Sequence, residues 1–373
     1  MINIALIGCT GNIGRQTAEV VRRYSDRFCF SALACSQQAD RLFDLCERFK
    51  PRFAYCEAPF TPPSGVEKAN DVRQLFEGCD VALIAAGGFA GLAYTLAAID
   101  AGKRVALANK ESLVCGGELV MRAARQKGVE LVPVDSEHSA IYQCLQMRRD
   151  ASFERLVLTA SGGPFFSKTE EELRHVTARD ALRHPTWNMG AKITVDSATL
   201  LNKGYEIIEA KWLFGVEQDK IEAVVHPESI VHSLVYFADG AALAQLGYPD
   251  MRVPIQLALT APERLPCAPM LDLTKVGTLT FLPLPVQKFP CFSLALQAGK
   301  EGGTLPTVLN AAGEIAVRAF LEGRITFSAI ADTIRDALNA FSREEADCFE
   351  RLLETDTRVR AHAQSFVYGI SAL

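Results

Sequence analysis

Asp135 and Glu137, in the string PVDSEH, stand two residues apart just past an apolar run. In an extended segment, side chains two apart share a face. Two carboxylates on one face repel each other unless a cation sits between them. Glu206, in NKGYEIIEA, lies far along the chain, but Ser197, Asn202 and Lys203 before it are residue types that bind anions. A hard cation held by the oxygens of Asp135, Glu137 and Glu206, beside a phosphate site, is the simplest chemistry for this set. Lys203 and Glu206 are also i and i+3, the spacing of an exposed ion pair on a helix, worth about 0.3 kcal/mol. That alternative gives no role to Ser197 and Asn202.

Other strings carry chemistry of their own. LIGCTGNIG spaces Gly8, Gly11 and Gly14 between a strand and a helix. Small residues there let the backbone approach a pyrophosphate at a helix N-terminus, and Thr10 adds a hydroxyl. A plain tight turn is the alternative. An NAD site would carry an acid at the end of the second strand, to bond the ribose 2′-hydroxyl. Here FSALAC ends at Cys35, followed by Ser36, Gln37 and Gln38, and no acid appears before Asp40. NADP is therefore expected over NAD, with Ser36 and Arg41 as donors to the 2′-phosphate. Lys110, in ANKES, opens a helix, where a cation is unfavourable unless an anion is near. It is expected to meet the carboxylates or a substrate oxygen; a surface lysine is the alternative. Ser161, Gly162 and Gly163 follow a strand and can bind an anion through N–H groups and the hydroxyl, although glycine pairs mark many ordinary turns. In HPTWNMG, Pro185 keeps His184 out of the helical region. Trp187 and Met189 there make either a loop pinned to the core or a lid over a substrate, with Gly162, Gly163 and Gly190 as hinges. His226 and His232 flank PESIV and read as core histidines.

The elements that must position these residues follow from pattern. Up to about residue 135, apolar runs (INIALI, FCFSALAC, VALIAA, RVALAN, and residues 129–134) alternate with amphipathic stretches, which predicts a parallel doubly wound sheet. From residue 155 the pattern is α+β: a strand into SGG, two short helical stretches, a long helical pattern over 198–214, and a hairpin turning at Asp239-Gly240. Recurrent prolines between Pro249 and Pro290 suggest a connecting arm. Helical periodicity then runs to the C-terminus. The expected division is a Rossmann-like domain at 1–135, a catalytic α+β domain at 136–258 with a flap at 161–191, a linker at 259–287 and a helical bundle at 288–373.

Composition bounds the function. The 373 residues carry a net charge of −5 and are 49% hydrophobic. A broad nucleic-acid surface would be basic, so it is not expected. The apolar stretch over 81–108 is broken by Gly87, Gly88, Asp100 and Lys103, which disfavours a membrane span. Met1 leads straight into a strand, without the pattern of a secretory signal. The eleven scattered cysteines, with no CxxC, then read as reduced thiols of a cytoplasmic protein, and zinc is not expected.

Taken in order, LIGCTGNIG, LANKESLV, PVDSEH, SGGPF, HPTWNMG, DSATLLNKG, EIIEA, HPESIVHSLV and LGYPDMRVPI closely resemble the 1-deoxy-D-xylulose 5-phosphate reductoisomerase family. The resemblance implies a two-stage reaction: rearrangement of the sugar phosphate, then reduction by NADPH to 2-C-methyl-D-erythritol 4-phosphate. It implies Mg²⁺ or Mn²⁺ on Asp135, Glu137 and Glu206, with Lys110, Glu137 and His184 catalytic. It places Lys110, Ser136, Glu137, Ser161, His184, Trp187, Ser197, Asn202, Lys203 and Glu206 against the substrate. Thr10, Gly11, Asn12, Ile13, Ser36, Asn109, Glu111 and Gly190 would contact NADPH. It further implies a homodimer, for which strands within 230–246 offer a surface, and a mobile flap over 161–190. Two departures stand out. Ser36-Gln37-Gln38 replaces the family's Gly-Lys-Asn or Gly-Ser-Asn, and the segment around 61–70 is short. A semialdehyde dehydrogenase using Cys144 or Cys115, or a non-catalytic NADP-binding regulator, are the alternative readings; neither explains the three acids and the lysines.

Overall fold

The computed structural model describes residues 1–146, 153–187 and 189–371. Asn188 of HPTWNMG, in the expected flap, and the last two residues of the expected helical bundle lie outside them. The chain forms two compact units: Met1–Ser112 with Val120–Tyr142 and Asp250–Pro269, and Leu113–Leu119 with Gln143–Pro249 and Met270–Leu373.

The first unit is built on a seven-stranded sheet. Its strands are β1 (Ile2–Ile7), β2 (Phe28–Cys35), β3 (Phe53–Cys56), β4 (Glu67–Lys68), β5 (Val81–Ile84), β6 (Arg104–Leu107) and β7 (Leu131–Pro133). They run parallel in the order β4-β3-β2-β1-β5-β6-β7. Strand order reverses between β1 and β5, so the crevice at their C-terminal ends is where such a sheet binds ligands. The central strands are apolar on both faces because helices cover both. Helix Asn12–Arg23 buries Thr17, Ala18, Val20 and Val21. The sequence reading leaves residues 250–258 with the central domain and 259–287 as a linker. In the structure, Arg252–Thr260 is a helix that buries Ile255, Ala258 and Leu259 in the core of the first unit.

Two glycines of the first turn are dictated by packing. Gly8 has φ +91°, and a Cβ on it would stand 2.4 Å from the Ala85 carbonyl oxygen. A Cβ on Gly14 would stand 2.4 Å from the Cys9 carbonyl oxygen. Gly11, the N-cap of helix Asn12–Arg23, has φ −74° and room for a Cβ, the nearest atom being 3.4 Å away.

The second unit is built on a mixed five-stranded sheet. Its strands are β8 (Phe153–Ala160), β9 (Ile221–Val225), β10 (Val231–Phe237), β11 (Ala242–Leu246) and β12 (Leu282–Pro283), in the order β11-β10-β8-β9-β12. Only β8 and β9 pair in parallel. The β10–β11 hairpin turns at Asp239-Gly240, with Gly240 at φ +85°. Helix Leu201–Phe214 comes close enough to helix Pro290–Glu301 that a Cβ on Gly204 would lie 2.4 Å from that of Ala295. Helices Leu305–Leu321, Phe327–Ala340 and Phe349–Ser371 complete the unit. A polar chain ties the first and last of these to Leu201–Phe214. The Tyr205 hydroxyl donates to Asn310 at 3.3 Å, Asn310 donates to Glu314 at 3.2 Å, and Arg360 donates to Glu314 at 2.7 Å and to Asp356 at 2.6 Å.

Two expected segments differ. The segment holding Asp135 and Glu137 is not extended: β7 stops at Pro133 and a helix runs over Ser136–Gln146. Asp135 is its N-cap, its carbonyl accepting from the Ser139 N–H at 2.8 Å. Aspartate at an N-cap and glutamate in the first turn complement the helix dipole, which favours this start over a longer strand. The helix expected over 198–214 starts later, at Leu201, and a separate helix precedes it. Ala191–Ala198 and Leu201–Phe214 are separate helices, and Leu200 between them is left-handed at φ +58°. Periodicity carries across such a single-residue break, so the sequence does not expose it.

These contacts predict a split among the turn glycines. Gly8→Ala and Gly14→Ala should each cost about 2–4 kcal/mol, and Gly11→Ala less than about 1 kcal/mol. Urea denaturation checks this; equal losses at all three positions would contradict it.

Candidate active site

The candidate residues of the first unit collect at the C-terminal ends of its parallel strands. After β1, Thr10, Asn12 and Ile13 are half-buried and Gly11 is exposed. The N-cap of helix Asn12–Arg23 is Gly11, which has no side chain to cap it. After β2, Ser36 is exposed, and the Arg41 guanidinium holds Gln38 at 2.8 Å. No acid stands among residues 36–39 after β2.

After β6, Asn109 is a structural hub. Its amide donates to the Ala86 carbonyl at 2.8 Å, the Gly88 carbonyl at 3.0 Å and the Glu111 carboxylate at 2.7 Å. Its oxygen accepts from the Ser112 N–H at 2.9 Å. With both ends of the side chain used inside the fold, Asn109 offers a ligand its backbone, while its side chain fixes Glu111 and the 86–88 turn.

Next to it, the buried Lys110 ammonium donates to Asp135 at 2.5 Å. The same Asp135 oxygen accepts from His138 Nδ1 at 3.0 Å. Burial alone would push the Asp135 carboxyl up; Lys110 and His138 outweigh it and hold the group well below the usual carboxylate range. Asp135 is thus an anion at any working pH, with its side chain 20% exposed. The Ser136 hydroxyl donates to Glu137. His138 is fully buried. The sequence reading assigned it no role, although its place three residues after Asp135 in PVDSEH is the signal for one.

The second unit presents a second set. Lys203 donates to the Thr159 carbonyl at 2.6 Å and to Glu206. Asn202 donates to the other Glu206 oxygen at 2.5 Å. Side-chain exposure is 5% for Lys203 and 2% for Glu206, which replaces the exposed-pair alternative with a buried one. Separating such a pair costs about 3–5 kcal/mol, ten times the exposed value. Ser197 closes helix Ala191–Ala198, and a Cβ on Gly163 would sit 3.0 Å from the Ser197 carbonyl. The left-handed turn at Leu200 therefore brings Ser197 to the SGG turn, while Asn202 and Lys203 open the next helix.

Beside them, His184 is fixed in one tautomer. Its Nδ1 accepts from the Thr186 N–H at 3.2 Å and the Trp187 N–H at 2.9 Å, so the proton is on Nε2. Nε2–H then donates to the Ser161 oxygen at 3.1 Å, which also accepts from the Gly163 N–H at 3.2 Å. With two donors on its oxygen, Ser161 must send its own proton to another acceptor. Trp187 packs against His232, ring centroids 6.3 Å apart. Gly190 is exposed at the N-cap of helix Ala191–Ala198.

A cysteine nucleophile finds no support here. Cys115 and Cys144 are buried, and burial pushes the Cys144 thiol up to about 11. His226 is also fully buried, accepting the Ile230 and Val231 N–H groups at 3.1 Å each, as a core histidine does.

Comparison with known proteins places the whole chain. A family model described as 1-deoxy-D-xylulose 5-phosphate reductoisomerase matches residues 4–117. The model for the C-terminal domain of that enzyme matches 131–214, and one for a DXP reductoisomerase C-terminal domain matches 246–362. A 1-deoxy-D-xylulose 5-phosphate reductoisomerase of Geobacillus sp. strain WCH70 is 47% identical, over 98% of this chain and 99% of its own. That of Ralstonia pickettii strain 12J is 45% identical, over 98% of both. A crystal structure of DOX-P reductoisomerase in complex with NADPH, fosmidomycin and magnesium superposes with a TM-score of 0.93 at 37% identity, covering 99% of this chain and 98% of that one. The Zymomonas mobilis enzyme in complex with NADPH superposes at 0.89 with 39% identity, covering 98% of this chain and 99% of that one.

The His184 arrangement carries a pH dependence. Burial lowers its pKa to about 4, against 6.5 for a free imidazole. The packed form refuses the proton that the open form accepts, so packing is favoured fully above about pH 6.5 and weakens as pH falls toward 4. Hydrogen exchange at the Thr186 and Trp187 amides, corrected for intrinsic rates, should accelerate between pH 7 and 5. His184→Asn, which keeps an acceptor without a titrating proton, should flatten the response. Constant protection in the unmodified protein would contradict the assigned tautomer.

Proposed function

The chain belongs to the 1-deoxy-D-xylulose 5-phosphate reductoisomerase family, and from that premise we propose that it converts this sugar phosphate to 2-C-methyl-D-erythritol 4-phosphate with NADPH and a divalent cation. The observation that carries the residue assignment is Asp135, kept ionised by Lys110 and His138 at the end of β7. A carboxylate so placed, with Glu137 two residues on, is an all-oxygen donor set suited to Mg²⁺ or Mn²⁺. Glu206 is the third donor. The turn at Gly8–Gly14 suits a dinucleotide: packing accounts for Gly8 and Gly14, and close approach of a pyrophosphate accounts for Gly11. When bound on Asp135, Glu137 and Glu206, the cation would supply Lewis-acid chemistry to the substrate, and the nicotinamide would supply the hydride.

The remaining work falls to the chain's own residues. Ser161 aims its hydroxyl proton at a phosphate oxygen, since its lone pairs are taken by His184 and Gly163. Ser197 and Asn202 add donors and Lys203 adds positive charge, which anchors the end of the substrate remote from the reacting carbons. His184 acts as a neutral donor that orients Ser161. Lys110 and Ser136 hold the substrate oxygens next to Asp135 and Glu137. Trp187, with the 161–191 flap, covers the substrate and excludes water from the intermediate. Thr10, Gly11, Asn12 and Ile13 hold the pyrophosphate. Ser36 and Arg41 take the 2′-phosphate, Asn109 and Glu111 shape the nicotinamide side, and Gly190 is the hinge that meets the cofactor.

The same proposal includes a homodimer joined through β11. This strand is the outer strand of its sheet, Leu243 on it is 40% exposed, and edge strands of this kind pair with a second copy. It also includes a cytoplasmic setting, which suits eleven cysteines that form no disulfide. No helix among the described residues is long and apolar enough to cross a membrane.

The deciding experiment follows NADPH absorbance with 1-deoxy-D-xylulose 5-phosphate, with and without Mg²⁺. Turnover should require both and vanish with a chelator; turnover surviving full chelation would reject the assignment. Ser161→Ala should raise KM for the sugar phosphate on the order of tenfold or more while the Kd of NADPH stays within about twofold. Equal losses for both ligands would remove Ser161 from the phosphate site.

A further inference from the structure

Four thiols gather under the glycine turn. Cys9, Cys35, Cys46 and Cys56 all belong to the core of the first unit. Cys35 ends β2, Cys56 ends β3, and the two are direct partners across that parallel pair. Neighbouring strands lie about 4.8 Å apart, within the roughly 4.4–6.8 Å that a disulfide spans between Cα atoms. The sulfurs already stand 3.6 Å apart. Each also touches the segment after β2: the Cys35 sulfur lies 3.7 Å from the Gln38 carbonyl oxygen, and Cys56 donates to the Ser36 carbonyl at 3.2 Å.

The four are chemically distinct. Hydrogen bonds from Cys9, then Cys56 and Thr10, outweigh burial and bring the Cys35 thiol down to about 7. The Cys9 thiol, which donates to Cys35 and is buried, is raised well above its ordinary value. Burial pushes Cys46 up to about 12 and raises Cys56. Cys35 is therefore the thiolate of the group, Cys9 its donor and Cys56 the thiol in reach behind it.

We propose that Cys35 and Cys56 are a modification site, which a hydroperoxide converts to a disulfide that loosens the 36–38 segment and weakens NADPH binding. The cofactor half of this statement rests on the function proposed above; the disulfide half does not. The Cys35 thiolate attacks one peroxide oxygen, the O–O bond breaks, and the other oxygen leaves with a proton as an alcohol, or as water from hydrogen peroxide. The sulfur of Cys56 then attacks the Cys35 sulfenic acid; the S–O bond breaks and water leaves with the thiol proton. Two thiols and one hydroperoxide give one disulfide, one alcohol and one water. The Cys56 S–H that donates to the Ser36 carbonyl is gone, and both sulfurs must move to within about 2.05 Å of each other. The segment proposed to take the 2′-phosphate thus loses the Cys56 contact and is shifted along with Cys35.

The test treats the full-length protein with hydrogen peroxide without NADPH, then digests it with trypsin under non-reducing conditions. The expected product joins peptide 28–41 to peptide 53–68, two hydrogens lighter than their sum, with fragment ions placing the bond on Cys35 rather than Cys29. The treated protein should bind NADPH on the order of tenfold more weakly than its untreated control, and a dithiol should restore binding. Cys56→Ser, compared with its own untreated control, should form no link and keep its affinity. Absence of the 28–41 to 53–68 link overturns the proposal, as does a quantitative link with unchanged affinity, or equal loss in Cys56→Ser. Failure of the reduced protein to bind NADPH would instead contradict the cofactor assignment, and the peptide link would still judge the disulfide.

Discussion

A carboxylate withdrawn from water stays charged only when positive charge or hydrogen-bond donors meet it, and the candidate residues of each unit are arranged around that requirement. Asp135 is met by Lys110 and His138, and Glu206 by Lys203 and Asn202. These contacts do more than balance charge. Each fixes the direction of an oxygen, because the lysines are buried and tied in place, Lys203 also by the Thr159 carbonyl. Acids held in this way are ready-made ligands for a hard cation, and the order of the site follows from them.

The fold supplies the positions. Parallel strands deliver their loops to one edge, so Gly11, Ser36, Lys110 and Asp135 follow four different strands and lie at the same end of one sheet. In the second unit a single left-handed residue, Leu200, does comparable work. It lets Ser197 end one helix against the SGG turn while Asn202 and Lys203 open the next. The His184 ring then connects Ser161 to the backbone of Trp187, so the serine hydroxyl and the 186–187 backbone are set by one imidazole.

Much of this was legible in the residues. The parallel sheet announces itself because strands covered on both faces are written as unbroken apolar runs, and the hairpin because Asp239-Gly240 permits its turn. The glycines of the first turn are visible as a spacing, but spacing does not say that packing explains Gly8 and Gly14 while Gly11 has room for a Cβ. The helix start at Ser136 was missed because the polar residues that cap a helix are the same ones that end a strand. The break at Leu200 was missed because heptad-like apolar spacing is indifferent to one residue's backbone. The return of residues 250–269 to the first unit is a tertiary contact between segments distant in sequence, and no local pattern encodes it. His138 stood in plain view, three residues from Asp135, but its role depends on a helix that pattern alone did not place there.

The central claim is that Asp135, Glu137 and Glu206 share one divalent ion. Mn²⁺ titration followed by electron paramagnetic resonance tests it most directly, with melting curves confirming that each variant is folded. One tight site per chain is expected, lost on Asp135→Asn, on Glu137→Gln and on Glu206→Gln alike. Full retention of that site by a folded Glu206→Gln variant, or two sites that fail independently, would contradict it.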